Sequence, residues 1–218
     1  SDLAGNLAPA AGPSTTFTVD DTVPTVTIGA PSSAVANAGP VSYAVTYADA
    51  NFSASTLAAG AVTLNPTGSA NALVAVTGSG TAYTVTLSSI TGNGTLGISL
   101  AAGTATDLAG NSAAAAGPST TFSVDNTAPT VTVGAPSSSF ASVGPVSYAV
   151  TYADASFNTS SLVAANVTLN RTGTANGTVG VTGSGTSYQV TIASITGNGT
   201  LGLSIVAAFP ACTLLRQK

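Results

Sequence analysis

The sequence predicts an all-β protein made of tandem antiparallel β-sandwiches, and three observations carry that expectation. Apolar and polar residues alternate with period two in segment after segment. Short clusters of Gly, Pro and Asn separate those segments. The whole pattern then recurs with a gapless period of 105 residues: GPVSYAVTYADA at 39–50 returns at 144–155, SITGNGTLG at 89–97 returns at 194–202, and DLAGN at 2–6 returns at 107–111. Solenoid units repeat every 20–50 residues or so, so a copy of this length is a whole domain.

Taken in order, Phe17 and Val19 alternate with Thr16 and Thr18 and read as a first strand. Thr25–Gly29 reads as the next. In Val41-Ser42-Tyr43-Ala44-Val45-Thr46-Tyr47 the odd positions form one apolar face and the even positions face the other way. Ser53–Ala59 has a trace of helical period, enough for one turn. Ala61–Asn65 is a short strand. Tyr83, Val85 and Leu87 alternate with Thr84 and Thr86, and Leu96, Ile98 and Leu100 with Gly97 and Ser99. Turns fall at Gly39-Pro40, Pro66-Thr67-Gly68, Gly78-Ser79-Gly80 and Gly92-Asn93-Gly94. About seven short strands with one buried face describe a sandwich. The tyrosine rings belong in its core, with their hydroxyls at the edge.

Composition narrows the function. Hydrophobic residues make up 44% of the chain and charged ones 5%, the reverse of a disordered profile. The only basic residues are Arg171, Arg216 and Lys218, which excludes a nucleic-acid partner or an anionic membrane surface. No apolar run approaches the roughly 18 residues of a membrane span, so no membrane insertion is expected. The start does not resemble a signal peptide, and residue 1 falls in mid-motif, so a piece of a longer or processed chain is expected. All seven acidic residues are Asp, and six of them form repeat-related pairs: Asp2 with Asp107, Asp20 with Asp125, Asp49 with Asp154. The repeat itself places the negative charge. The single cysteine, Cys212, rules out an intrachain disulfide.

The frame of the repeat is cut within a unit. DLAGNSAAAAGPSTTFSVDNTAPT at 107–130 ends one unit, and its STTFSV reads as the final strand. The chain opens with the same element at 2–25. The expected organisation is therefore an orphan final strand and linker (1–22), one sandwich (23–127), a second sandwich (128–205) lacking its final strand, and a divergent tail (206–218). Either a long array was cut at arbitrary points, or the orphan strand, with Thr15, Phe17 and Val19, fills the open groove of the next subunit by donor-strand complementation.

D-L-A-G-N, followed by S-V-D-N-T-A-P-T-V-T-V and V-S-Y-A-V-T-Y-A-D-A, resembles the tandem Ig-like repeats of large bacterial surface proteins and adhesins. The linker V-D-N-T-A-P is similar to the junctions of cadherin-like repeats. The resemblance implies Ig-like extender domains at the bacterial cell surface, with junctions stiffened by Ca²⁺. Expected partners are further copies of the repeat, in the same chain or in neighbouring subunits of a homopolymer.

The best candidate site is the junction. Asp107 precedes the last strand, Asp125 and Asn126 lie in the linker, and Asp154 follows the second strand of the next copy; Asp2, Asp20, Asp21 and Asp49 offer the same roles one unit earlier. Such all-oxygen sets suit Ca²⁺. The competing reading is ordinary turn chemistry, in which Asp and Asn bond their own backbone. Without His or Glu no Ser-His or Cys-His triad can be assembled, and no enzyme is expected. Sequons such as Asn93-Gly94-Thr95 arise readily in such text, and the Thr rows read as the solvent side of a sheet. The reading is a non-enzymatic extracellular stalk, with a self-polymerising filament subunit as the alternative. A carbohydrate-binding module ranks below both, because the tyrosines fall on apolar faces.

Overall fold

The structure, a computed structural model, describes residues 1–206. It is all-β, and the chain divides into two compact units after Asn126. The first unit contains β1 (Thr25–Ile28), β2 (Val35–Ala36), β3 (Val41–Ala48), β4 (Phe52–Ser55), β5 (Val62–Pro66), β6 (Asn71–Ser79), β7 (Ala82–Thr91), β8 (Gly94–Leu100), β9 (Ala105–Asp107) and β10 (Phe122–Val124). The second contains β11 (Thr130–Pro136), β12 (Val146–Ala153), β13 (Val167–Arg171), β14 (Asn176–Ser184), β15 (Ser187–Thr196) and β16 (Leu201–Ile205). A single 3-10 turn precedes β5 and another precedes β13.

In the first unit two four-stranded sheets, β1-β3-β7-β6 and β2-β10-β8-β5, share one core. Alternation builds it as the sequence predicts: Val41, Tyr43, Val45 and Tyr47 of β3 are buried and face Leu96, Ile98 and Leu100 of β8 within a single cluster. The Tyr43 hydroxyl donates to the carbonyls of Leu96 (3.2 Å) and Thr120 (3.1 Å), and the Tyr47 hydroxyl to Thr104 Oγ1 (2.8 Å). Burial pushes the ionisation of both phenols up. β10 completes the second sheet, pairing antiparallel with β8 (Phe122 opposite Leu96) and parallel with β2 (Ser123 opposite Val35). Phe122 is only 1% exposed.

Three expectations are corrected. Ser53–Ala59 is not a helical turn: Phe52–Ser55 pairs with β9, and the 3-10 turn comes later, at Ala59–Ala61. The decisive partner, β9, lies some fifty residues away in sequence, and the Phe52 ring packs at 6.5 Å from Tyr47. STTFSV is a strand only over its last three residues. The segment around Phe17 and Val19 forms no strand, because an alternating segment needs a neighbouring ladder and nothing in its unit pairs with it.

The second unit repeats the first sheet as β11-β12-β15-β14, and among the described residues its other sheet consists of β13 and β16. Counterparts of β2, β4, β9 and β10 do not occur among the described residues. The buried residues accordingly split into two small clusters, Val150 with Leu162, Tyr188 and Val190, and Val146 with Tyr148 and Ile192. Leu201, Leu203 and Ile205 are half-buried, whereas Leu96, Ile98 and Leu100, standing 105 residues earlier, are buried. Of the divergent tail expected at 206–218, all but Val206 lies outside the described residues, Cys212 included.

Phe122→Ala is expected to destabilise the first unit by about 3–5 kcal/mol in denaturant unfolding, the usual cost of emptying an aromatic core site. Leu73→Ala, at an exposed position on β6, is expected to stay within about 0.5 kcal/mol. Equal effects would mean that β10 does not close the core.

Candidate metal centre

Three carboxylates of the first unit, from Asp20, Asp49 and Asp107, each present an oxygen within 4.8 Å of the others. Three separate pieces of chain deliver them. Asp49 follows the end of β3, where its Oδ1 accepts from the Asn51 backbone N–H (2.7 Å) and closes a tight Asx turn. Asp107 ends β9, and the β4–β9 ladder sets it opposite Phe52. The Leu108 N–H donates to Asn51 O (2.8 Å), locking the two loops together. Asp20 arrives with the incoming linker.

Two asparagines fasten these pieces. Asn51 Nδ2 donates to Asp20 Oδ2 (2.7 Å). Asn111 Nδ2 donates to Asp107 Oδ2 (2.8 Å) and to Asp20 O (3.0 Å), while the Asn111 N–H donates to Asp107 Oδ1 (2.8 Å). The Thr22 N–H donates to Asp20 Oδ1 (3.0 Å). Hydrogen bonds to a carboxylate favour its charged form, so Asp20 is held below the usual carboxylate range, by Asn51 foremost and then by Thr22. Asp107 is buried.

The donor set fits a hard cation. Calcium takes six to eight oxygens at about 2.3–2.6 Å, so two oxygens on one ion lie within roughly 5 Å of each other, and the three carboxylates meet that limit. Spare lone pairs remain on every oxygen despite the hydrogen bonds from Asn51, Asn111 and Thr22.

The grouping differs from the expected one. Asp107 joins Asp20 and Asp49 at the end where the chain comes in; it does not join Asp125 and Asn126 where the chain leaves. The reason lies in strand direction: β7 runs from Ala82, opposite Thr46 near the end of β3, to Thr91 at the far end. The Asn126 N–H donates to Asn93 Oδ1 (2.6 Å) and its Nδ2 to Gly92 O (2.7 Å), so the outgoing linker is tied beyond Thr91. Gly92 has φ +75°, and a Cβ there would collide with Ser69 O, so this turn demands glycine.

The other candidates are not members of the cluster. Asp2 closes its own loop, accepting from the Ala4 N–H (3.0 Å), the Asn6 N–H (2.9 Å) and Asn6 Nδ2 (2.8 Å). Those bonds hold it below the usual range, the Asn6 side chain first. Asp107 and Asn111 make the same pair of contacts, so D-x-x-G-N builds this turn with or without a domain around it. Asp21 is exposed; the Asp125 N–H donates to Ala36 O (3.0 Å); Asp154 Oδ1 accepts from the Ser156 N–H (2.7 Å). Thr15, Phe17 and Val19 are all exposed.

Asn51 and Asn111 went unnoticed in the sequence, although one signal pointed to them. Positions 105 residues beyond Asn51, Asp107 and Asn111 are Ser156, Cys212 and Arg216, so three members of the arrangement change together while Asp125 and Asp154 persist. No protein-family profile, curated protein or solved structure matches the chain.

Because its folded-state ionisation is lowered, Asp20 stabilises the linker contact above the ordinary carboxylate value of about 3.9, and this contribution is lost as pH falls through the lower folded value. NMR titration of the Asp20 carboxyl carbon is expected to give a midpoint below that ordinary value, and Asn51→Ala to raise it. A midpoint at the ordinary value with Asn51 intact would dissolve the proposed tie.

Proposed function

We propose that the chain is a non-enzymatic structural module of an extracellular bacterial surface fibre or adhesin, built of Ig-like units that act as a stalk. One observation carries the reading: both linkers of the first unit are fastened to its ends by asparagine side chains. Asn51 and Asn111 hold Asp20 of the incoming linker, and Asn126 of the outgoing linker holds the Gly92–Gly94 turn. Fastened linkers restrict hinge motion, which a spacer requires and an isolated globular domain does not. The recurrence of strands 105 residues apart supports the same reading, since β3 and β12, β6 and β14, and β7 and β15 match in length, and β3 and β12 are identical in sequence.

Calcium bound by Asp20, Asp49 and Asp107 would strengthen the incoming tie by neutralising three converging negative charges. The residues themselves already orient the linker: Asn51 and Asn111 hold Asp20 in place through its carboxylate and its carbonyl. The carbohydrate-binding alternative finds little support in the tyrosines, five of which are buried.

Antibody raised to the first unit is expected to label intact producing cells; staining that requires permeabilisation would overturn the surface assignment. Calcium is expected to raise the melting temperature of the first unit, with a midpoint at about 10⁻⁴–10⁻³ M as in other extracellular modules. Asp107→Asn is expected to abolish that response. A melting temperature indifferent to both calcium and chelator would leave turn chemistry as the whole role of the aspartates.

A further inference from the structure

We infer that Asn176 is a self-modification site, at which the Gly177 nitrogen closes a succinimide ring on the Asn176 side chain with Arg171 assisting. Three observations meet there. Asn176 lies opposite Thr196 on β15 and Thr178 opposite Ala193, so the register is interrupted at Gly177 and leaves it without a ladder partner. The Gly177 N–H donates instead to Asn176 Oδ1 (3.0 Å), one bond from the carbon that its nitrogen would attack. Arg171 Nη1 donates to the same oxygen (3.0 Å), so the amide carbonyl is polarised by a full positive charge. Arg171 and Asn176 are both exposed, which gives water and hydroxide access to the pair.

The first unit holds the same local geometry without the chemistry. The Ala72 N–H donates to Asn71 Oδ1 (2.8 Å) beside an equivalent interruption of the β6–β7 register. There, however, Pro66 stands in the place of Arg171 and Ala72 in the place of Gly177. The uncharged proline offers no donor, and the alanine Cβ crowds the attacking nitrogen where glycine leaves it open. Gly177 also has a packing role, since a Cβ there would press on Ile192 Cγ2; the first unit has Leu87 at that position. Asn93-Gly94 shares the dipeptide, but Asn93 Oδ1 accepts from the Asn126 N–H (2.6 Å) and is committed to the linker.

The reaction needs only water and hydroxide. Hydroxide removes the Gly177 N–H proton, and the nitrogen pair forms a bond to Asn176 Cγ. The carbonyl electrons move onto Oδ1, where the Arg171 guanidinium stabilises the developing charge. The tetrahedral carbon then collapses, the Cγ–Nδ2 bond breaks, and Nδ2 leaves as ammonia with a proton from water. A second water opens the ring at either carbonyl and leaves aspartate or isoaspartate. The new carboxylate faces Arg171, so a contact to a neutral amide becomes an ion pair. The isoaspartate product lengthens the main chain where the ladder is already interrupted, so β14 accommodates it. The inference goes beyond the stalk reading and stands whether or not the protein works at a cell surface.

Peptide mapping by mass spectrometry tests this on the full folded chain, incubated in mildly alkaline buffer made with heavy-oxygen water. Asn176 is expected to convert to aspartate and isoaspartate carrying the heavy oxygen, faster than Asn93 or Asn198, the other asparagines followed by glycine, and far faster than Asn71. Arg171→Met is expected to slow the conversion by about tenfold, the worth of one charge-assisted hydrogen bond in the transition state. Pro66→Arg combined with Ala72→Gly is expected to make Asn71 reactive, which requires no damage to the second unit. In denaturant the three Asn-Gly pairs are expected to react alike, with Arg171→Met silent. Equal rates at the three pairs in the folded chain would mean that the dipeptide alone decides, and overturn the inference. So would an Asn176 that stays intact, or an Arg171→Met chain that keeps both the native melting temperature and the native rate.

Discussion

Closure of the second sheet by β10 is the constraint on which the rest of the first unit depends. Phe122 and Val124 do more than add apolar area: their strand gives β8 its second neighbour beside β5, recruits β2 in parallel, and follows Thr120, whose carbonyl Tyr43 reaches. The Tyr43 hydroxyl therefore has two acceptors within reach, Leu96 O and Thr120 O, so the segment serves a polar group as well as burying carbon. The two units make the comparison internally. With repeat-related sequences over 39–100 and 144–205, one has a single continuous core and the other, over its described residues, two smaller clusters. Among the described residues the first unit has β10 and the second has no counterpart of it.

The same stretch of chain joins fold to site. Between β9 and β10 the polypeptide turns through Asp107–Asn111, and that turn carries both a carboxylate of the cluster and the asparagine that fastens the incoming linker. Stabilising the core and positioning the linker are therefore coupled through one segment. Asp107 reaches its place because the β4–β9 ladder forms, and that ladder stands beside a core closed by β10. In the second unit the positions corresponding to Asn51, Asp107 and Asn111 have changed to Ser156, Cys212 and Arg216.

Charge is used sparingly and locally. With seven aspartates and three basic residues in 218, long-range fields do little, and the carboxylates of Asp2, Asp20, Asp49, Asp107 and Asp154 accept short hydrogen bonds from backbone N–H groups and asparagine amides. Such bonds keep Asp20 ionised without a cationic partner. That chemistry serves a turn and a cation site equally well, since a turn that presents carboxylate oxygens is already a partial ligand sphere.

The sequence by itself determined the strands whose face could be read from alternation, as in Val41 to Tyr47 and Tyr83 to Leu87, and the self-contained D-x-x-G-N turn. These depend on neighbours within a few residues, so local pattern encodes them. It also disclosed the repeat and, through it, which aspartates correspond. Tertiary structure alone decided the remainder. Phe52–Ser55 became a strand because of a partner far along the chain, and the nearly identical segments at 14–19 and 119–124 took different states because only one has a ladder to join. The carboxylates gathered where the chain comes in because strand direction sets which loops share an end. Pairing and end-to-end placement are properties of the assembled sheets, and a one-dimensional pattern of alternation holds no record of them.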